Sequence, residues 1–355
     1  MARLTFREAL PGDHAALERL FRETSMAGAI RIGSDRSPDF FAASRVQAEE
    51  PCVWGVFTGE GRAIGVFSMG RRMVWLNQEK KPMRYLSDLR IHPDWRKGTM
   101  LAKGFRMMRE NVFEKGEWAQ TLVLGQNLPA LGFFRSRRAG LPEYHKAGRY
   151  RNWILAARKI PAPAHLVRTA RPDDLPAMQI LLDESSRRRS FSPVVDLKNL
   201  GHADMNDLSV DDFLVAEDAG EILGIMALWD QSAFQRLRVD GYPAGFAVAH
   251  PLLNFHARLR GDATFPAPGN AIPMLKAGAI ASANDDPAVL RSILAAAFPR
   301  LVGKLLSAGL PEKDPLATAL DGLRSREFGG LHFLAGWEGD PPACQEPFGF
   351  NAARI

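Results

Sequence analysis

Two cysteines, Cys52 and Cys344, are all the thiols in 355 residues. That scarcity excludes a disulfide framework, and the pair lacks metal-ligand spacing. No apolar run approaches the ~20 residues that span a bilayer. His-x-x-x-His and Cys-x-x-Cys patterns are missing, as is any evident Ser/His/Asp or Cys/His nucleophile arrangement, so neither a metal nor a covalent nucleophile is expected. The first residues alternate as a strand carrying Arg3 and Glu8, unlike a signal peptide. The expectation is a soluble, unprocessed, cytoplasmic protein with no membrane partner.

What is present suits a large core. Hydrophobic residues make up 46% and charged residues 24%, and the length is comfortable for two domains. The net charge of +6 is uneven: residues 1–150 hold 25 Lys/Arg against 16 Asp/Glu, whereas residues 151–355 hold 21 against 24. A positive first half suits an anionic cofactor, which its field would steer. Nucleic acid is not favoured, because the basic residues are dispersed and no helix-turn-helix, zinc or RNA-binding signature occurs.

The chain repeats itself. Arg7, Ala9, Pro11, Asp13, Ala16, Leu20 and Glu23 recur as Arg168, Ala170, Pro172, Asp174, Ala177, Leu181 and Glu184, each 161 residues on. In both places a strand turns through Pro and Asp into a helix with apolar residues on one face. A hairpin then follows in each half, Val53–Phe57 with Ala63–Phe67 and Phe213–Ala216 with Ile222–Met226. Two tandem domains, 1–157 and 165–355, joined by a Pro-rich linker at 158–164, are the simplest organisation. Each is expected to be an α/β (α+β) unit with a mixed, mostly antiparallel central sheet flanked by helices.

The most informative stretch is Tyr85 to Asn111. It reads as a strand through Leu86, Leu89 and Ile91, a His92-Pro93-Asp94 turn, a basic corner at Arg96-Lys97-Gly98-Thr99, and an amphipathic helix through Leu101, Phe105 and Met108. Backbone N–H groups converge at such a corner, and the helix dipole favours an anion there. Downstream come the strand Thr121–Leu124, Asn127-Leu128-Pro129-Ala130-Leu131-Gly132-Phe133-Phe134, and a strand over Tyr150–Leu155.

Together these blocks resemble the GNAT superfamily of acyl-CoA-dependent N-acyltransferases, in which Gln/Arg-x-x-Gly-x-Gly/Ala binds the coenzyme A pyrophosphate and Asn-x-x-Ala-x-x-x-Tyr opens the next helix. Asn127 and Ala130 stand in register. Thr99 and Leu101 occupy the two glycine positions, Gly98 is shifted by one, and Phe134 stands where the family's tyrosine acts as a general acid. The resemblance implies acetyl-CoA or another acyl-CoA as co-substrate, held by Leu89, Ile91, Arg96, Lys97, Gly98, Thr99, Met100, Leu101, Asn127 and Phe134. It also implies an acceptor site near Met26, Arg31, Phe40 and Phe41. Those two phenylalanines equally suit a helix burying a Phe pair.

Direct attack of an amine on a thioester needs a proton acceptor and a donor to the leaving thiolate. Asp88 is the candidate base, with a structural ion pair to Arg90 or Arg84 as its alternative; Tyr144 or Tyr150 is the nearest replacement for the missing acid. In the second half the matching corner, Ser282-Ala283-Asn284-Asp285-Asp286-Pro287, carries two aspartates that occupy the helix dipole and repel phosphate. A helix is expected over Pro315–Leu323, a solvated face at Arg187-Arg188-Arg189, and no element can be assigned to the insertion 234–270. The expected function is an N-acyltransferase acting on a small-molecule amine or peptide, as a monomer or homodimer. The alternative is a non-catalytic protein of the same fold that binds coenzyme A or a protein partner.

Overall fold

The computed structural model describes residues 4–26, 30–96, 99–134, 140–157, 160, 164–243 and 245–355. Lys97, Gly98 and most of the 158–164 linker lie outside them. The first half runs β1 (Thr5–Glu8), α1 (His14–Glu23), β2 (Arg31–Asp35), α2 (Phe40–Gln47), β3 (Glu49–Phe57), β4 (Ala63–Leu76), β5 (Glu79–Ile91), α3 (Met100–Asn111), β6 (Trp118–Leu124), α4 (Leu128–Phe134) and β7 (Glu143–Ala156). Then follow β8 (Leu166–Thr169), α5 (Leu175–Arg187), β9 (Ser192–Pro193), β10 (Phe213–Asp218), β11 (Glu221–Trp229), β12 (Arg236–Gly241), α6 (Phe246–Leu259), β13 (Met274–Ser282), α7 (Pro287–Ala297), β14 (Leu305–Pro311) and β15 (Ser325–Gly336). The segment Pro315–Leu323 makes only a 3-10 turn over Pro315–Ala319, capped by Asp314 through the Leu316 N–H, and Gly322 at φ +75° follows it.

The repeat seen in the sequence reappears as the same contacts. Arg7 donates to Asp13 through both terminal nitrogens at 2.7 and 2.8 Å, and Asp13 also accepts from the Leu10 N–H at 2.8 Å. Arg168 holds Asp174 at 2.6 and 2.9 Å, and Asp174 accepts from the Arg171 N–H at 2.7 Å. Each strand is thus pinned to the start of the helix that follows it. Leu17, Leu20 and Phe21 of α1 bury against β3 and β4, as Met178, Leu181 and Leu182 of α5 bury against β10 and β11.

A single mixed sheet runs through both halves in the order β1-β3-β4-β5-β6-β15-β7-β14-β13-β11-β10-β8, with β9 pairing on β4. The halves exchange their last strands. β15, from the end of the second half, lies between β6 and β7, pairing antiparallel with both. β7 in turn pairs with β14. The cores follow the exchange: Trp153 and Leu155 of β7 pack with Leu290 and Ile293 of α7, and Ala335 of β15 packs with Phe105 and Met108 of α3.

The insertion 234–270 supplies β12 and α6, and β12 forms a separate antiparallel ribbon with β2 of the first half. The basic triplet is a solvated face only in part: Arg187 and Arg188 are exposed, whereas Arg189 is buried. Arg188 and Arg189 both bind Asp285, and Arg189 reaches the buried Asp314 at 2.6 and 2.9 Å. Of the two aspartates at the second corner, Asp285 is the partner of these arginines.

Candidate active site

β5 and β6 run parallel but stay paired only over Arg84–Leu86 and Ala119–Thr121. Beyond that point they part, so residues 87–91 carry backbone donors and acceptors with no strand partner on the β6 side. A bulge accompanies the parting: the β4–β5 register slips between Val66 and Ser68, leaving the region of Asp88 with an extra residue. Asp88 sits there with φ +59°, a left-handed conformation that Asp tolerates better than most residues.

The inside–outside alternation of a regular strand therefore fails at the end of β5, and Leu89 is 42% exposed. The partner of Asp88 is neither Arg84 nor Arg90. Arg36, which directly follows β2, grips the carboxylate with two bonds of 2.8 and 2.7 Å and is itself buried. Arg84 is engaged elsewhere, by Glu117 at 3.0 Å and the Val112 carbonyl at 3.1 Å. Arg90 lies over the Phe21 ring at 3.9 Å and donates to the Thr24 carbonyl. Burial lowers the Arg90 guanidinium to about 10, Asp88 opposing and Arg36 adding to that shift. Lys276 of β13 is pushed down to about 8 by burial and then by Arg36, and donates to the Ile355 carbonyl at 3.4 Å. Phe40 is fully buried against Phe21 and does not line a cleft; Phe41 is half-buried beside it.

At the corner, His92 accepts from the Asp94 N–H and stands 3.1 Å from Arg62. Arg96 is exposed and its Nε donates back to the Ile91 carbonyl at 3.1 Å. Thr99 is the N-cap of α3 without a side-chain bond to the helix. Met100 is buried near Val56, Ile64 and Ile91, and Leu101 packs toward Phe105. Their side chains therefore belong to the core, leaving only their backbone groups to the corner. Beside the outer side of α3 lies a depression of about 340 Å³ lined by Ala102, Arg106, Arg109, Glu110 and Gly140. The two arginines stand on one helical face at a spacing of three, a signal the sequence reading passed over.

Asn127 caps α4: its Oδ1 accepts from the Ala130 N–H at 3.3 Å, which gives the Asn-x-x-Ala spacing a structural reason. Phe134 and Tyr144 are brought together. Their rings stack with centroids 3.9 Å apart, and Phe333 meets both edge-on. Burial raises the Tyr144 phenol well above its ordinary value, so it keeps its proton throughout the neutral range. Tyr150, the other tyrosine considered, is buried near Phe350.

The matching gap in the second half is filled. β13 and β14 pair only over Met274–Lys276 and Leu305–Ser307, and the following segment is occupied by residues near Ala352 and Ala353. A Cβ at Gly278 would lie 3.2 Å from that of Ala353, and one at Gly309 only 2.6 Å from that of Ala352. Asp286 caps α7 through the Ala288 N–H.

No protein-family model matches the chain, and no curated protein matches its sequence. Solved structures do match. A GCN5-related N-acetyltransferase from Sphaerobacter thermophilus superposes with a TM-score of 0.51 at 12% identity, covering 95% of this chain and 97% of that one. The N-myristoyltransferase of Saccharomyces cerevisiae with bound myristoyl-CoA gives a TM-score of 0.58 at 10% identity over 96% of this chain and 84% of that one. A second GCN5-related N-acetyltransferase, from Kribbella flavida, gives 0.50 at 13% over 94% and 71%. Likeness spanning nearly the whole chain at such identities is likeness of fold: the chain shares the fold of these GCN5-related N-acetyltransferases and of the N-myristoyltransferase.

Proposed function

We propose that the chain is an acyl-CoA-dependent N-acyltransferase whose chemistry resides in its first half, within the division 1–157 and 165–355 read from the sequence. The observation that carries this reading is the parting of β5 and β6 after Leu86 and Thr121, with the N-terminus of α3 at the adjoining corner. Backbone along 87–91 without a strand partner on the β6 side, Leu89 included, suits the amide-bearing arm of coenzyme A, and Ile91 could join it by releasing the Arg96 side chain. N–H groups of Thr99, Met100 and Leu101 at the start of α3 suit its pyrophosphate, with Arg96 adding positive charge at the corner. The second half has no equivalent opening, which supports a structural role for it.

In this reading the acceptor amine attacks the thioester carbon directly, the C–S bond breaks, and Tyr144 gives a proton to the departing thiolate in place of the tyrosine that Phe134 replaces. The Tyr144 phenol is protonated in the neutral range, as a donor must be, and burial makes it a weaker acid than a free tyrosine. The Asp88–Arg36 pair fixes the bulge that parts the strands, and Asp88 takes up the amine proton through water.

The test is calorimetric titration with acetyl-CoA and coenzyme A, followed by thiol-release assays over a panel of amines and peptide N-termini. Binding should be lost in Arg96→Ala/Lys97→Ala. Tyr144→Phe should bind coenzyme A normally and turn over ~10²-fold more slowly or worse. Failure to bind millimolar coenzyme A would overturn the reading; binding without thiol release from any acceptor would leave a coenzyme-binding protein that does not turn over.

A further inference from the structure

Helix α6 is built inside out. Its buried side presents Asn254 and Ala257 with the half-buried Phe246 and His250, and the polar members of that set are used to hold the adjoining loop. Asn254 donates to the Phe265 carbonyl at 2.9 Å and accepts from the Phe265 N–H at 2.7 Å, while His250 stands 2.8 Å from the same carbonyl. The apolar residues point to solvent. Val248, Leu252, Phe255 and Leu259 are 86%, 61%, 58% and 69% exposed, and their 4-3-4 spacing draws them into one stripe along the helix.

Charge flanks that stripe on both sides. At ~100° per residue, Arg258 falls on one edge of the stripe and His256 and Arg260 on the other, all exposed. No acidic residue occurs between Asp240 and Asp262. A stripe of large apolar side chains bordered by cations, without a carboxylate to repel phosphate, is the arrangement of a helix that lies in a lipid interface. None of the described helices is long and apolar enough to cross a bilayer, so the contact is one of lying on a surface. The helix is also tied to the first half: β12, just before it, pairs with β2, and Arg36 after β2 holds Asp88.

We propose that α6 seats this protein on an anionic lipid surface, with Val248, Leu252, Phe255 and Leu259 entering the acyl boundary and Arg258 and Arg260 meeting the headgroups. The assignment is independent of the acyl-transfer reading. A protein surface is the competing occupant, and it would ordinarily offer carboxylates to these cations at fixed positions, whereas the dispersed cations of α6 match a continuous anionic plane.

The experiment is co-sedimentation of the full chain with phosphatidylcholine vesicles, with and without phosphatidylserine. Wild type should sediment only when phosphatidylserine is present. Leu252→Asp/Phe255→Asp should abolish sedimentation, and Arg258→Glu/Arg260→Glu should weaken it by at least about fivefold for each cation. Because these side chains are exposed, unchanged thermal melts are expected for both variants. Phe255→Trp, a milder change, should show a blue-shifted emission on the same vesicles. Wild type remaining in the supernatant, equal binding to the neutral vesicles, or unimpaired binding by Leu252→Asp/Phe255→Asp would overturn the proposal. So would a concentration-dependent dimer in sedimentation velocity that this variant abolishes, since the stripe would then be covered by a second copy.

Discussion

His332 shows how one side chain can set the acid limit of the molecule. It sits on β15 among Phe191 and Phe348, is almost fully buried, and its Nε2 has no hydrogen-bond partner among the described residues. Burial, with Arg72 adding repulsion, pushes its pKa down from 6.5 to about 3. As pH falls, the unfolded chain therefore takes up this proton first. The contribution to stability is intact above about 6.5 and is lost progressively toward pH 3, at up to about 1.4 kcal/mol per pH unit from this residue. His332→Phe, which keeps the aromatic contacts and removes an unsatisfied nitrogen, should flatten the acid side of a plot of Tm against pH. Identical acid slopes for the variant and wild type would show that His332 is not the group responsible.

At the scale of the element, the end of β5 depends on a pair drawn from two distant segments. Asp88 has a left-handed backbone and is half-buried against the buried Arg36, so removing the arginine alone leaves a carboxylate without its counter-charge. Arg36→Met should cost about 3–5 kcal/mol in urea unfolding. Arg36→Met/Asp88→Asn should recover much of that loss, since Asn also tolerates positive φ. Additive losses in this double-mutant cycle would mean that the two side chains do not act as a unit. The pair also shows the limit of reading strands by alternation: Asp88 was legible as a polar residue near a corner, but the bulge was not, since a register slip is fixed by the neighbouring strand. By contrast Arg7 with Asp13 and Arg168 with Asp174 were legible as recurring positions, and the structure joins each pair across six residues of chain.

The whole molecule is governed by the exchanged strands. β15 has neighbours from the first half on both sides, and its close fit is visible at Gly330, where a Cβ would lie 2.4 Å from both the Tyr150 hydroxyl and the Val123 carbonyl oxygen. A backbone carbonyl in a sheet cannot step aside, so Gly330→Val should wedge β15 from β6 and cost at least about 3 kcal/mol. Since each half's core contains a strand from the other, urea unfolding of the wild type should be one transition, coincident by far-ultraviolet circular dichroism and tryptophan fluorescence. Two separated transitions would show that the halves fold as independent units despite the shared sheet.

The sequence by itself determined the repeat, the strand–corner–helix around Arg96, the cap at Asn127 and the capping aspartate of the second corner. These depend on residues within a few positions of one another, whose periodicity and capping chemistry act locally. Tertiary structure alone decided that β7 and β15 change places, that Arg36 rather than Arg84 or Arg90 holds Asp88, and that Asp285 and Asp314 take up Arg188 and Arg189. It also decided that the insertion carries an exposed apolar helix tied to β2. Strand order and ion-pair choice are settled by which surfaces meet across a hundred residues or more of chain, and burial then makes one pairing far less costly than its alternatives.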